Sequence, residues 1–410
     1  MSNAFSHFIH SSTAKNDLPT AVILGKNVNS DDMLLSLNKL GIDTVVVKLT
    51  LEVKDDYGEN TYDNPMLIAL ANQLIQYLNL HIEQNKKSII FSSEDIYSVL
   101  LAFSETELDT RFHCVTPSKD IVKICANKIK FFEYCEAQGI DIPATHVFYN
   151  KKDIDAVTNQ LKLPGIVRPH YSGALPKSIV PKVLMINTIA ELHALGEKVF
   201  ELGQPVFYQE FIPGDSTSTW FLGGFFGVDG KPSDSYFVGQ KLLEHPLIGG
   251  NTTLARMRWN DPIVENGLQF IQAINYSGLA DIEFKFDHRD QKYKIIEVNP
   301  RIGRWHSISQ SAKTDIIREF YLTLLGMQTA PYSLHQEGRV WMAPVPAFCS
   351  YIESKGLFVG ITHWLRAIFK ADIKAGVDLR KLRQTMHQLR AIQGHIRSLS
   401  FKELLRGCKQ

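Results

Sequence analysis

Two short apolar runs separated by a capped helical repeat place the first constraint on this chain. Ala21-Val22-Ile23-Leu24-Gly25 reads as a buried strand closed by glycine, and Thr44-Val45-Val46-Val47 as a second. Between them Asn29-Ser30-Asp31-Asp32 offers side-chain oxygens for a helix N-cap, Met33 to Leu40 carries the helical period, and Gly41 stops it. A strand, a helix and a strand in fewer than 30 residues is a βαβ unit, which requires a parallel sheet with helices on its faces. A helix-period segment from Pro65 to Gln84 and a run at Ser88 to Phe91 continue the alternation. Gly25 lacks companions at a Gly-x-Gly-x-x-Gly spacing, so a dinucleotide-binding turn is not supported. Residues 1–19 are polar, have no period, and read as a loose arm.

Ser118 to Gly139 reads as one helix, with Ser118 as cap, Ile121, Ile124, Cys125, Ile129, Phe132 and Cys135 on one stripe, and Gly139 as stop. The chain then turns β-rich, with runs at Gly165 to Pro169, Val206 to Ile212 and Trp220 to Phe226. A short helix at Asn266 to Asn275 precedes two strands, Ala280 to Phe286 and Tyr293 to Val298. A length of 410 residues calls for more than one core. The balance of 44 basic against 43 acidic residues excludes the basic excess of a dedicated nucleic-acid binder. Five cysteines without a Cys-x-x-Cys pair argue against a disulfide framework or zinc knuckle and for a reducing cytoplasm. No signal-peptide pattern and no apolar window of transmembrane length is found. From Tyr351 to Gln410 twelve Lys and Arg face four acidic residues, in a helical, amphipathic pattern with Trp364, Leu365, Ile368 and Phe369 on the apolar side. Two readings of that segment stay open: a helical lid or dimer element with a solvated basic face, or a surface that docks on an anionic membrane or polyanionic substrate.

The chemistry concentrates in one hairpin. Side chains alternate along a strand, so Asp281, Glu283 and Lys285 share one face against Ile282, Phe284 and Phe286. On the partner strand Glu297, Asn299 and Arg301 share a face, with Ile296 and Val298 directed at the core. Carboxylates and an amide oxygen converging across a hairpin make a pocket of hard oxygen donors, the kind Mg²⁺ takes together with nucleotide phosphates. Arg301, next in the row, suits a phosphoryl group or a developing oxyanion. The plainer alternative is a solvated strand face with ordinary ion pairs.

Asp281-Ile282-Glu283-Phe284 followed by Glu297-Val298-Asn299-Pro300-Arg301 resembles the metal-binding end of the ATP-grasp superfamily. The resemblance spans roughly residues 115 to 326 and implies ATP and Mg²⁺ as cofactors, two ions with Mn²⁺ able to substitute. Its implied metal ligands are Glu283, Glu297 and Asn299, with Arg301 on the transferred phosphoryl or acyl phosphate. Lys128 takes the place of the family's first phosphate-binding lysine, and Arg168 stands where the second lysine is usual. Arginine keeps the charge there but alters the geometry. Tyr171-Ser172-Gly173 is a short counterpart of the glycine-rich phosphate loop. Gln209 to Asp215 resembles the hinge between lobes, where Glu210 and the backbone of Phe211 and Ile212 would meet adenine and Asp215 the ribose. Lys241 matches a position used to reach the nucleotide, and Gly249-Gly250 suits a loop over phosphates. The wording is closest to carboxylate–amine ligases of the D-aspartate ligase-like group and to carbamoyl phosphate synthetase-like grasp domains.

The expected fold is therefore multidomain, α/β and α+β. An N-terminal parallel-sheet pre-ATP-grasp domain (1–114) would precede a small grasp lobe (115–210), a large lobe with the metal site (211–330) and a basic helical C-terminal extension (331–410). The implied activity is an ATP-dependent ligase. It would activate a small carboxylate as an acyl phosphate, with Arg301, Lys241 and Arg168 as catalytic groups, and join it to an amine. Alternatives on the same scaffold are a phosphotransferase and an ATP-binding regulator without turnover. Arg256 and Arg258 would hold a carboxylate substrate or be stray loop charges, and His306 would line the pocket or pack in the core. A homodimer is an expectation by analogy alone.

Overall fold

The computed structural model describes residues 4–10, 17–50, 65–171, 174–227, 235–311, 315–327 and 337–375, with their strands in three sheets. The first sheet contains β1 (Phe5–His10), β2 (Thr20–Leu24), β3 (Thr44–Leu49), β4 (Ser88–Ser92) and β5 (Phe112–His113), in the order β1-β3-β2-β4-β5. β2 to β5 pair in parallel, as the βαβ reading requires. Their connections carry α1 (Val28–Lys39), α2 (Pro65–His81) and α3 (Asp95–Phe103). β1 corrects the loose-arm reading: it runs antiparallel along the edge of β3 with Phe5 buried. Backbone pairing to an open edge holds this strand, and side-chain period does not report that. α1 also starts earlier than expected. Asn27 caps it in a capping box with Ser30, so Asn29 and Ser30 lie inside its first turn.

The second sheet, in the order β6-β9-β7-β8, contains β6 (Thr145–Phe148), β7 (Gly165–Arg168), β8 (Leu184–Ile186) and β9 (Val206–Glu210). It packs with α6 (Lys151–Val157) and α7 (Ile189–Phe200) through Phe148, Ile154, Val167, Leu192, Val199 and Tyr208. The third sheet has seven strands in the order β14-β13-β10-β11-β12-β15-β16. They are β10 (Thr219–Phe225), β11 (Ser235–His245), β12 (Asn251–Met257), β13 (Leu279–Asp287), β14 (Lys292–Asn299), β15 (Val340–Met342) and β16 (Ile373–Lys374).

The single helix expected over 118–139 is two, α4 (Lys119–Ala126) and α5 (Lys128–Ala137). Asn127 breaks the run at φ −110°, ψ 114° and caps α5, its side chain accepting the amides of Ile129 and Lys130. Cys125, Ile129, Phe131 and Phe132 pack on the back of the seven-stranded sheet against Trp220, Leu222, Ile282 and Phe284. The segment 119–137 thus shares the core of the large sheet rather than that of the small lobe assigned to 115–210. α8 (Asp261–Ala273) covers the same face. It starts ahead of the expected Asn266 because Asn260 caps it and Pro262 sits in its first turn.

The C-terminal part is not purely helical: β15 pairs with β12 and β16 with β15, extending the large sheet. α11 (Pro344–Lys355) and α12 (Leu357–Lys370) pack beside it, and the rest of the segment, 376–410, lies outside the described residues. On the front of the large sheet, α9 (Ile308–Ser311) and α10 (Ile316–Leu324) join the first sheet in one continuous core. Ala21, Ile23, Met33 and Phe91 there meet Phe221, Phe237, Trp305 and Phe320. That shared core fixes the carboxyl ends of β2 and β4 against the chain leaving β14.

Candidate active site

The hairpin of β13 and β14 puts Glu283 directly opposite Glu297, and Asp281 opposite Asn299. Opposed residues have Cβ atoms about 5 Å apart, close enough for both carboxylates to serve one cation. Phe221 of β10 lies opposite Glu283, and Gly239 of β11 opposite Phe221, so Lys241 rises from the same face. The pairing jumps from Glu283/Glu297 to Phe284/Ile295, a bulge that leaves Ile296 as the extra residue. The bulge resets the alternation, so the core residue is Ile295 rather than the expected Ile296. The freed carbonyl of Ile296 accepts a hydrogen bond from Arg168 Nη2 at 3.3 Å.

Cations from five separate segments surround these carboxylates. Arg168, at the end of β7, brings Nη1 to 3.8 Å from Glu297. Lys241 Nζ lies 3.2 Å from Glu244 and 3.9 Å from Glu283. Arg301 Nε sits 3.0 Å from Asp95 Oδ1, and its Nη2 donates to Asn299 Oδ1 at 3.1 Å. Lys128 occupies the first position of α5, with its amide bonded to the His170 carbonyl at 2.8 Å. Lys182 donates to Asn251 Oδ1 at 2.9 Å and adds its charge to both Glu283 and Glu297. Asp95, Lys182 and Glu244 were not singled out from the sequence. Each is one charged residue outside any motif, brought in by packing.

The electrostatics follow from this arrangement. Burial works against ionising Glu297, but Lys128, Arg168, Lys182 and Arg301 outweigh it and hold the carboxyl at about 2. Glu283 is raised, by burial first and then by Glu297 across the hairpin, with Lys241 opposing. Burial lowers Lys128 and Arg168 despite the attraction of Glu297. Lys241 and Arg301 stay above their usual values against burial, Lys241 through Glu283 and Glu244 and Arg301 chiefly through Asp95. Asp281 is pushed up to about 8 by burial and by Glu283. A Cβ on Gly303 would come within 2.5 Å of Asp281 Oδ2, so only glycine lets the backbone pass there.

Other expected site residues are elsewhere or already engaged. The carboxylate of Glu210 is buried among Arg289 at 2.9 Å, Lys162 at 3.3 Å and Lys294 at 3.4 Å. It also accepts the Ala144 amide at 2.9 Å, so it forms a buried charge hub. The Phe211 amide is bonded to the Pro164 carbonyl, and Ile212 is buried beside it. Asp215 caps a tight turn, accepting the Thr217 amide at 2.8 Å and hydroxyl at 2.6 Å. Arg256 lies opposite Gln240, one residue out of phase with Lys241, and therefore on the far face of the sheet from Glu283. Arg258 stacks over Trp220 on that same far face. Both also donate to Gln240 Oε1, so their guanidinium groups are engaged on that face. His306 is fully buried and held down to about 4 by desolvation, with Nδ1 3.0 Å from the Gly303 carbonyl, which settles it as a packed residue. Ser172 lies outside the described residues.

Glu283, Glu297 and Asn299 form a hard-oxygen set that fits Mg²⁺. Among the described residues no group of three His, Cys, Asp or Glu side chains is placed to hold a metal alone. The Asn299 amide and oxygens from a bound phosphate would have to complete any coordination.

Residues 252–320 match the family model of the carbamoyl-phosphate synthase L chain, ATP binding domain. This segment contains the whole hairpin and Arg301 but not Lys128, Arg168 or Lys241. The D-aspartate ligase of Enterococcus faecium is 25% identical over 272 residues, covering 64% of this chain and 61% of its own. This chain thus spans about three-fifths of that relative's length. Among solved structures, an ADP complex of N5-carboxyaminoimidazole ribonucleotide synthetase superposes with a TM-score of 0.55 at 12% identity, over 78% of this chain and 80% of the other. The L-amino acid ligase of Bacillus licheniformis superposes with a TM-score of 0.54 at 14% identity, over 80% of each chain. The hairpin, the three sheets and these likenesses agree: the chain has the ATP-grasp fold and is similar in sequence to D-aspartate ligase and to the ATP-binding domain of carbamoyl-phosphate synthase.

Proposed function

We propose that this chain is a Mg²⁺- and ATP-dependent ligase that activates a small carboxylate as an acyl phosphate and joins it to an amine, releasing ADP and phosphate. One observation carries the reading: two carboxylates and an amide oxygen in register on one face of the hairpin, ringed by Lys128, Arg168, Lys182, Lys241 and Arg301. A carboxylate is a poor electrophile, and Mg-ATP supplies the phosphoryl group that makes its carbonyl reactive. Glu283, Glu297 and Asn299 would hold the ion. Lys128, Arg168 and Lys241 bind phosphate oxygens and offset the charge that grows during transfer. Arg301, held by Asp95 and Asn299, would meet the acyl phosphate.

The acceptor would bind where the carboxyl ends of β2 and β4 face the chain after β14, the crevice that open α/β sheets use for ligands. There Ser98 donates to the Pro300 carbonyl at 2.6 Å and Asn29 to the Ile302 carbonyl at 3.0 Å, closing the crevice floor. Half-buried Arg304 lies within the field of Arg301 and suits a substrate carboxylate.

The test is ADP and phosphate release from Mg-ATP over a panel of amino acids and small carboxylates paired with amines, with Glu297→Ala as control. Release with one acid–amine pair, an amide product and a dead control is the expected result. A phosphorylated acid as final product, or turnover undiminished in Glu297→Ala, overturns the reading.

A further inference from the structure

We infer that the outer face of α12 is a docking surface for an anionic lipid bilayer. Phe358, Leu365 and Phe369 are 66%, 41% and 85% exposed. Their spacing of i, i+7 and i+11 lines them along one stripe of the helix, within an arc of about 40°. Arg366 and Lys370 follow on one shoulder of the stripe and Lys355 stands beside its start, all exposed, and the helix carries no acidic residue.

The opposite face is anchored, so the stripe is not a core face waiting to turn inward. Trp364 Nε1 donates to the Pro344 carbonyl at 2.8 Å, and its ring stands edge-on to Phe348 at 5.5 Å. Ala367 and Ile368 pack with Met342 and Ala347. The nearest acids are engaged, Glu353 with His245 at 3.4 Å and Asp372 with Arg339 at 2.9 Å. The stripe is therefore apolar with a net positive border.

Charge and area choose the occupant. The chain from 376 to 410 has eight Lys and Arg against two acidic residues, a charge of the same sign as the border. A second copy docking by two-fold symmetry would press like charges together. It would also gain little area: the exposed parts of Phe358, Val359, Leu365 and Phe369 offer on the order of 400 Å², taking about 200 Å² for a whole Phe. A stable dimer needs about 800 Å² from each partner. A convex helix with protruding phenylalanines and a basic shoulder instead fits the headgroup boundary of a bilayer, where the rings enter the acyl edge and the cations meet phosphate. The adjacent basic segment 376–410 adds attraction of the same sign. This inference is independent of the nucleotide chemistry.

The experiment is co-sedimentation of the full chain with phosphatidylcholine vesicles, with and without phosphatidylglycerol. The readouts are binding to the anionic vesicles alone and its weakening by salt. The double variant Phe358→Ser/Phe369→Ser is expected to lower the vesicle partition coefficient by tenfold or more at an unchanged melting temperature. Arg366→Glu/Lys370→Glu should abolish the preference for anionic vesicles. Absence of binding to anionic vesicles, or binding untouched by the phenylalanine variant, overturns the proposal. A dimer in solution that the phenylalanine variant dissociates also overturns it and assigns the stripe to a second copy.

Discussion

Replacing Asp95 by Asn tests whether the N-terminal sheet positions the site. Asp95 opens α3, and its carboxylate meets Arg301 at two points, Nε to Oδ1 at 3.0 Å and Nη2 to Oδ2 at 3.4 Å. Unit charges about 4 Å apart attract by about 1 kcal/mol at the dielectric of water and about 4 kcal/mol at an effective value near 20. The Arg301 side chain is 18% exposed but that of Asp95 is 46% exposed, so solvent screens the pair strongly. The expected coupling is therefore about 1 kcal/mol. Arg301 keeps the Asn299 amide oxygen and the Ile302 carbonyl in the variant, so it loosens without leaving. A double-mutant cycle of Asp95→Asn with Arg301→Ala, read by denaturant unfolding, should return that coupling. Calorimetry with Mg-ATP should show affinity weakened about fivefold in Asp95→Asn, the equivalent of about 1 kcal/mol. A coupling within about 0.3 kcal/mol of zero, the ordinary error of additivity, together with unchanged nucleotide affinity, would refute the claim that this pair aims Arg301.

Gly303→Ala should cost about 1 to 3 kcal/mol and lower the melting temperature, because its Cβ would press on the buried carboxyl of Asp281; a melt equal to wild type would show that β13 yields. Asp287→Asn should destabilise by about 3 kcal/mol, since it strips buried Lys294 (2.7 Å) and Arg289 (2.6 Å) of their carboxylate; denaturant titration checks this. Stability should fall on acidification by two routes. His170 and His306 are held near 4 by burial, against 6.5 when unfolded. The unfolded chain therefore binds more protons between those values, and stability is lost as pH drops from about 6.5 to 4. Glu210 and Asp287 are held below the usual carboxylate range, so their contribution is present above about pH 4 and is lost below it. His306→Asn should flatten the upper limb of that profile, and an unchanged slope between pH 6.5 and 4 would contradict its burial as a neutral ring.

Sequence by itself determined what depends on neighbouring residues. Period-two alternation put Glu283 with Asp281, and Glu297 with Asn299, before any pairing was known, because successive Cβ atoms of a strand point to opposite faces. Apolar runs broken by capped helices specified the parallel pairing of β2, β3 and β4, since parallel neighbours need a crossover long enough to carry a helix. Tertiary structure decided whatever joins distant segments. The bulge at Ile296 exchanged which isoleucine is buried, and nothing in Lys294-Ile295-Ile296-Glu297 announces it. Glu210 gathered Lys294, Arg289 and Lys162 around its carboxylate, and Arg256 turned to the far face of the sheet through its register with Gln240. Arg301 gained Asp95, 206 positions away in the chain. Backbone periodicity is set by local sterics, whereas the meeting of two charges is set by how whole elements pack, and a linear pattern carries no record of that distance.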